Sequence, residues 1–166
     1  MRLALAAVTA VVAALLQASV VPYLRFAGAT PELPLVVVLL WGSFGAFDGA
    51  MAAAFIGGIV LDALLLRPLG STSFVLLLAA AVIATVSRTG ARTRLPLLVI
   101  TSFVLGVATA LLWNVVYGAL AGPVPAPDPF GPVIPDAIYT TAIYVVILPI
   151  AILLRRRFGE QERVAW

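Results

Sequence analysis

The chain has 166 residues, 63% of them hydrophobic and only 10% charged, where an ordinary soluble domain is about a quarter charged. It holds no cysteine and no histidine, which excludes disulfides, thiolate metal sites and iron–sulfur clusters and removes the commonest general base. All 10 basic residues are arginine, and the pI near 10.0 is that of a nucleic-acid binder, but these arginines lie between long uncharged runs and are better read as topology signals.

A mean hydropathy of +1.17 and several uncharged apolar runs predict one polytopic membrane domain over residues 1–166. A spanning helix needs roughly 20 mostly apolar residues. The expected fold is an all-α integral membrane protein of about six transmembrane helices. They fall near residues 3–22, 33–47, 49–66, 71–87, 95–120 and 136–154.

The first run opens with Met1-Arg2, as a signal peptide does. Its apolar stretch exceeds the ~7–15 residues of a cleaved signal, so it is expected to stay as a helix. Ala6, Ala10, Ala14 and Ala18 recur on one face, with Gln17 beside them. The next two runs flank Asp48. A tight turn at Asp48-Gly49 between two short helices is expected; the alternative is one long helix with Asp48 buried inside it.

In the third span Ala50, Ala54, Gly58 and Asp62 recur at i+4 and share a face that Gly57 widens. Helices in lipid associate through such small residues. Asp62, within FIGGIVLDALLLRPLG, is the polar member of the stripe. A charge at mid-membrane costs several kcal/mol unless paired or wet. Two roles are open to it. Its carboxylate could accept backbone N–H groups of the 68–72 turn, or pair with Arg67, and so lock the hairpin into span four, where Ser71 is a natural N-cap. Otherwise it lines a site for a substrate or proton.

Span five carries the longer stripe Ser102, Gly106, Ala110, Asn114 and Gly118. The segment GPVPAPDPFGPVIPD that follows holds half of the chain's 12 prolines. It should be extended, stiff and poor in backbone donors. It serves either as a strap between two helices or as a docking ledge on the outer side. Asp136 is most simply the N-cap of span six.

One set of turns and ends carries Arg2, Arg88, Arg92, Arg94, Arg155, Arg156, Arg157 and Arg163. The opposite set carries Arg25 and Arg67. Cytoplasmic loops hold the excess of basic residues, so both termini are expected in the cytoplasm; a five-span alternative would put Arg2 outside. The clusters Arg88–Arg92–Arg94 and Arg155–Arg156–Arg157 are topogenic and solvated, or else contacts for anionic lipid or a cytoplasmic partner. No Walker loop, dinucleotide fingerprint, metal-ligand spacing or Ser/His/Asp set is present, and an enzyme is not expected.

The stretch from Pro31 to Gly70 resembles the MreD family of small bacterial membrane proteins. Pro31-Glu32-Leu33 opens span two. A glycine-punctuated segment, Gly45, Gly49, Gly57 and Gly58, ends in Asp62, and Pro68-Leu69-Gly70 follows. The extra Pro34, which shortens span two at its outer end, and the proline-dense 122–136 loop depart from the family pattern. The resemblance implies a multi-pass inner-membrane protein with cytoplasmic termini and no cofactor, a non-enzymatic scaffold of the cell-elongation machinery. Its implied partners are an MreC-like single-span protein, the MreB filament, the wall glycosyltransferase/transpeptidase pair and anionic lipids, with no nucleic acid. It also implies a fold like the six-helix substrate-binding subunits of energy-coupling-factor transporters. The rival function is such a vitamin-type subunit, with a pocket built from Asp62, Arg67, Asn114 and the outer loops. A lipid-precursor handler is a third reading, for which the sequence offers no head-group site. Residues singled out for packing are Asp62, Gly57, Gly58, Pro68, Gly70, Gly106 and Asn114.

Overall fold

The computed structural model describes residues 2–24, 29–88, 94–121, 131 and 133–159. Among them are six α-helices: α1 (Arg2–Ser19), α2 (Leu33–Ser43), α3 (Phe47–Leu64), α4 (Ser71–Val86), α5 (Arg94–Ala121) and α6 (Val133–Gly159). Segments of α3 (Phe47–Leu64), α5 (Leu95–Val116) and α6 (Val133–Leu153) are long and apolar enough to cross a membrane. The helices α1, α2 and α4 are apolar but shorter.

The break between α2 and α3 differs from the sequence expectation. It lies at residues 44–46, not at Asp48-Gly49. Gly45 takes the left-handed conformation there, φ +70°, which glycine adopts without a Cβ penalty. Its N–H closes the turn on the Gly42 carbonyl at 3.0 Å. Asp48 is exposed in the first turn of α3, where a carboxylate favours the positive end of the helix dipole. Gly49 is needed for packing instead: a Cβ there would stand 2.8 Å from the Trp41 ring.

The short helix α2 is the hub, in contact with each of the other five. Leu35, Val38 and Leu39 carry its buried surface, against Ala50 and Ala54 of α3, Ile83 of α4 and Tyr144 of α6 in one core. Small residues set the spacing. Ala6, Ala10 and Ala14 are buried on α1, and a Cβ on Gly57 would lie 3.2 Å from the Ala10 methyl. A Cβ on Gly58 would collide with the backbone of Ser73, so α3 and α4 touch main chain to main chain. Gly106 brings α5 onto Ala137 of α6, where an added Cβ would meet the alanine methyl at 3.1 Å. Leucine, valine and isoleucine cover the opposite faces, as with Leu5, Val12, Val104 and Val146.

Successive helices alternate in direction. Near one end Trp41 Nε1 donates to Thr9 Oγ1 at 3.1 Å, and the Ser43 and Tyr144 hydroxyls share a hydrogen bond of 2.6 Å. At the opposite end gather the close of α1, the start of α2, the α3–α4 turn and the start of α6. That second end holds Glu32, Asp62, Arg67 and Asp136.

Candidate functional site

The site begins with how Asp62 is held. Its side chain is fully buried. Oδ2 accepts the Gly70 N–H at 2.9 Å and the Thr72 N–H at 3.1 Å. Oδ1 faces Thr72 N and the Ser71 hydroxyl, both at 3.3 Å. The first N–H groups of an α-helix have no partner within the helix. Asp62 supplies that partner from the neighbouring helix, and its charge sits at the positive end of α4. Ser71 is therefore not the N-cap. That position belongs to Gly70, at φ +92°, and the Ser71 hydroxyl is a donor to Asp62. Arg67 interacts with Asp62 through main chain, its N–H reaching the Asp62 carbonyl at 2.9 Å. Pro68 follows and takes the Ser71 N–H at 3.2 Å.

The start of α2 is held in the same manner, from two other helices. Leu33 N–H donates to Gln17 Oε1 of α1 at 2.8 Å. Glu32 N–H donates to Thr140 Oγ1 of α6 at 3.0 Å. Thr30 N–H donates to Asp136 Oδ1 at 2.6 Å. Pro34, in the first turn, has no N–H to satisfy. Asp136 is thus not the N-cap expected of it. Its helix begins at Val133, and Asp136 lies in the first turn, where its carboxylate fastens a segment 106 residues earlier in the chain.

Between these two fastenings lies a cavity of about 300 Å³. Its polar wall includes Glu32, Arg67, Thr72, Thr109, Asn114 and Asp136. Leu35, Leu61, Val75 and Leu76 supply the apolar part. The guanidinium of Arg67 lies over the Trp113 ring, 4.5 Å from its centroid, a cation–π contact that fixes the charge at the wall. Asn114 Nδ2 donates to the Ala110 carbonyl one turn back on α5, at 3.1 Å. The Thr72 hydroxyl is buried without a hydrogen-bond partner.

Burial pushes the Glu32 carboxyl up from 4.5 to about 7, and the neighbouring Asp136 carboxylate adds to the rise. Arg67 and a hydrogen bond with Thr109 pull the other way. Removal of the charged form from water costs more than one guanidinium returns. Among the described residues no group of three or more His, Cys, Asp or Glu side chains is placed to hold a metal ion.

Of the residues expected in a pocket, Arg67 and Asn114 line the cavity. Asp62 stands behind it, engaged with α4. Sequence reasoning takes Glu32 only as part of a motif and Asp136 only as a cap, and it passes over Thr72 and Trp113. A signal was available: Gln17, Glu32, Asp62, Arg67, Asn114 and Asp136 all fall toward the same end of helices that alternate in direction. Gly118 lies apart, with nothing within 4 Å of an added Cβ. Arg88 is exposed at the end of α4. Arg92 and the 122–130 part of the proline-rich loop lie outside the described residues, as do the side chains of Arg94, Arg155, Arg156 and Arg157.

Comparison with known proteins gives one relationship. The family profile described as rod shape-determining protein MreD matches residues 1–158. No curated protein and no solved structure matches the chain significantly.

Proposed function

The chain belongs to the MreD family of rod shape-determining proteins, and from that membership we propose that it is a membrane scaffold of the bacterial cell-elongation machinery. Membership implies a role in rod-shape determination, in a family of structural proteins and not a known enzyme family. The scaffold would hold the single helix of an MreC-like protein. Through it the protein would help couple the MreB filament to the glycosyltransferase and transpeptidase that build the wall.

The observation that carries this reading is the extent of the family match, nearly the whole chain. The architecture supports it. Small residues bring the helices together, main chain against main chain at Gly58 and Ser73, and apolar side chains face outward, as a rigid platform in lipid requires. In our reading all six helices cross the inner membrane, in a bundle like that of energy-coupling-factor substrate-binding subunits. The end with Arg88 faces the cytoplasm together with both termini, by the excess of arginine in its turns. Arginines at an anionic surface contribute about 1 kcal/mol each, so the Arg155–Arg156–Arg157 cluster would reinforce attachment.

Native mass spectrometry of the protein, extracted gently from its own membrane, tests the scaffold. A stoichiometric complex with a single-span protein is expected. A lone protein from cells that also contain the intact partner would sink the proposal.

A further inference from the structure

We propose that the cavity lined by Glu32, Asp136, Arg67 and Thr72 is a binding site for a small organic ammonium ion. Charge is the first argument. The wall brings two carboxyl groups, Glu32 and Asp136, against one basic side chain among the described residues, Arg67. Once Glu32, whose carboxyl is pushed up to about 7, has given up its proton, the site carries one excess negative charge, which a monocation neutralises. Arg67 is held against Trp113 at the wall, so the remainder of the space is left to the ligand.

Hydrogen bonding is the second argument. Thr72 is only 7% exposed, lines the cavity, and its Oγ1 has no partner. A buried hydroxyl left without a partner costs free energy. Its backbone N–H is already committed to Asp62, which fixes the residue in place and leaves the buried hydroxyl uncommitted. An ammonium group is a pure donor. Carboxylate oxygens and a threonine hydroxyl are the acceptors it requires.

Size sets the class. An engineered cavity of ~150 Å³ holds benzene, so about 300 Å³ suits an organic ion of about ten non-hydrogen atoms. Among the described residues the wall does not gather three carboxylate, histidine or cysteine side chains, the kind of cluster that holds a metal ion. The site goes beyond the scaffold role and does not depend on it.

The test uses the full chain in lipid nanodiscs and three probes of one length: 4-amino-1-butanol, 1,4-butanediol and 4-hydroxybutyrate. Titration calorimetry against empty nanodiscs should show saturable binding of the amine at millimolar concentration. The neutral and anionic probes should bind at least tenfold more weakly. Thr72→Val keeps the backbone bonds to Asp62, so its melting temperature should hold while amine binding weakens several-fold. Glu32→Gln should weaken binding tenfold or more. Equal binding of the three probes, or no amine binding beyond empty nanodiscs, would overturn the proposal. So would amine binding indifferent to both substitutions.

Discussion

Thr72 donates its backbone N–H to the carboxylate of Asp62, at 3.1 Å to Oδ2 and 3.3 Å to Oδ1, and the same residue lines the cavity. One residue thus joins the fastening of α4 to the wall of the polar site. Asp62→Asn keeps the shape but directs an amide NH2 at N–H donors. With hydrogen bonds to a charged acceptor contributing about 1.5–3 kcal/mol, the substitution should destabilise by about 3 kcal/mol and lower the unfolding midpoint in detergent. Thr72→Val, which deletes an unpartnered buried hydroxyl, should not lower it. An unchanged midpoint for Asp62→Asn would dispose of the fastening role.

Glu32 should make stability depend on pH. The carboxyl is near 4.5 when the chain is unfolded and about 7 when folded, because burial and Asp136 outweigh Arg67 and Thr109. The folded state therefore keeps a proton that the unfolded state has lost. Stability should fall as pH rises from 4.5 to 7 and level off above, by about 2 kcal/mol once screening through the cavity is allowed for. Glu32→Gln should flatten that slope. The readout is the unfolding midpoint at fixed ionic strength from pH 4 to 8; the same slope in the variant would assign it to another group.

Gly58 and Gly118 should respond oppositely to alanine. On Gly58 the new methyl meets the backbone of Ser73, which cannot turn aside as a side chain would. Overpacking of this kind costs about 1–3 kcal/mol. On Gly118 the methyl meets nothing within 4 Å, and helix propensity should raise stability by up to about 1 kcal/mol. Paired melting curves of Gly58→Ala and Gly118→Ala decide it; a neutral Gly58→Ala would mean that α3 and α4 are not in main-chain contact.

Ser43 and Tyr144 should be energetically coupled. Their hydroxyls lie 2.6 Å apart, Tyr144 is fully buried, and Ser43 also donates to the Leu39 carbonyl. Ser43→Ala and Tyr144→Phe should each cost about 1 kcal/mol or more. The double variant should cost less than the two together, by about 1 kcal/mol. Strict additivity would show that the two groups do not interact.

The all-helical architecture is legible in the sequence because uncharged runs near membrane length leave little else for the backbone to do. The small-residue stripes on α1 and α3 are legible as well, since i+4 spacing survives any detail of packing. The turn between α2 and α3 is not. Asp48-Gly49 has the look of a turn, but a conformation at Gly45 and a ring at Trp41 decide the matter, and neither shows in local composition. The polar site is least legible. Glu32 and Asp136 gain their meaning from each other, across more than a hundred residues of chain. Asp62 stands out as an isolated carboxylate in an apolar run, yet its partners lie in a turn whose geometry rests on Gly70.

The fastening of α2 has a consequence for the order of assembly. Gln17, which takes the N–H of Leu33, is already in place when that segment emerges from the ribosome. Asp136 and Thr140, which take those of Thr30 and Glu32, are synthesised more than a hundred residues later. Until α6 is made, the N–H groups of Thr30 and Glu32 lack these side-chain partners, so a helix made later completes the start of one made earlier.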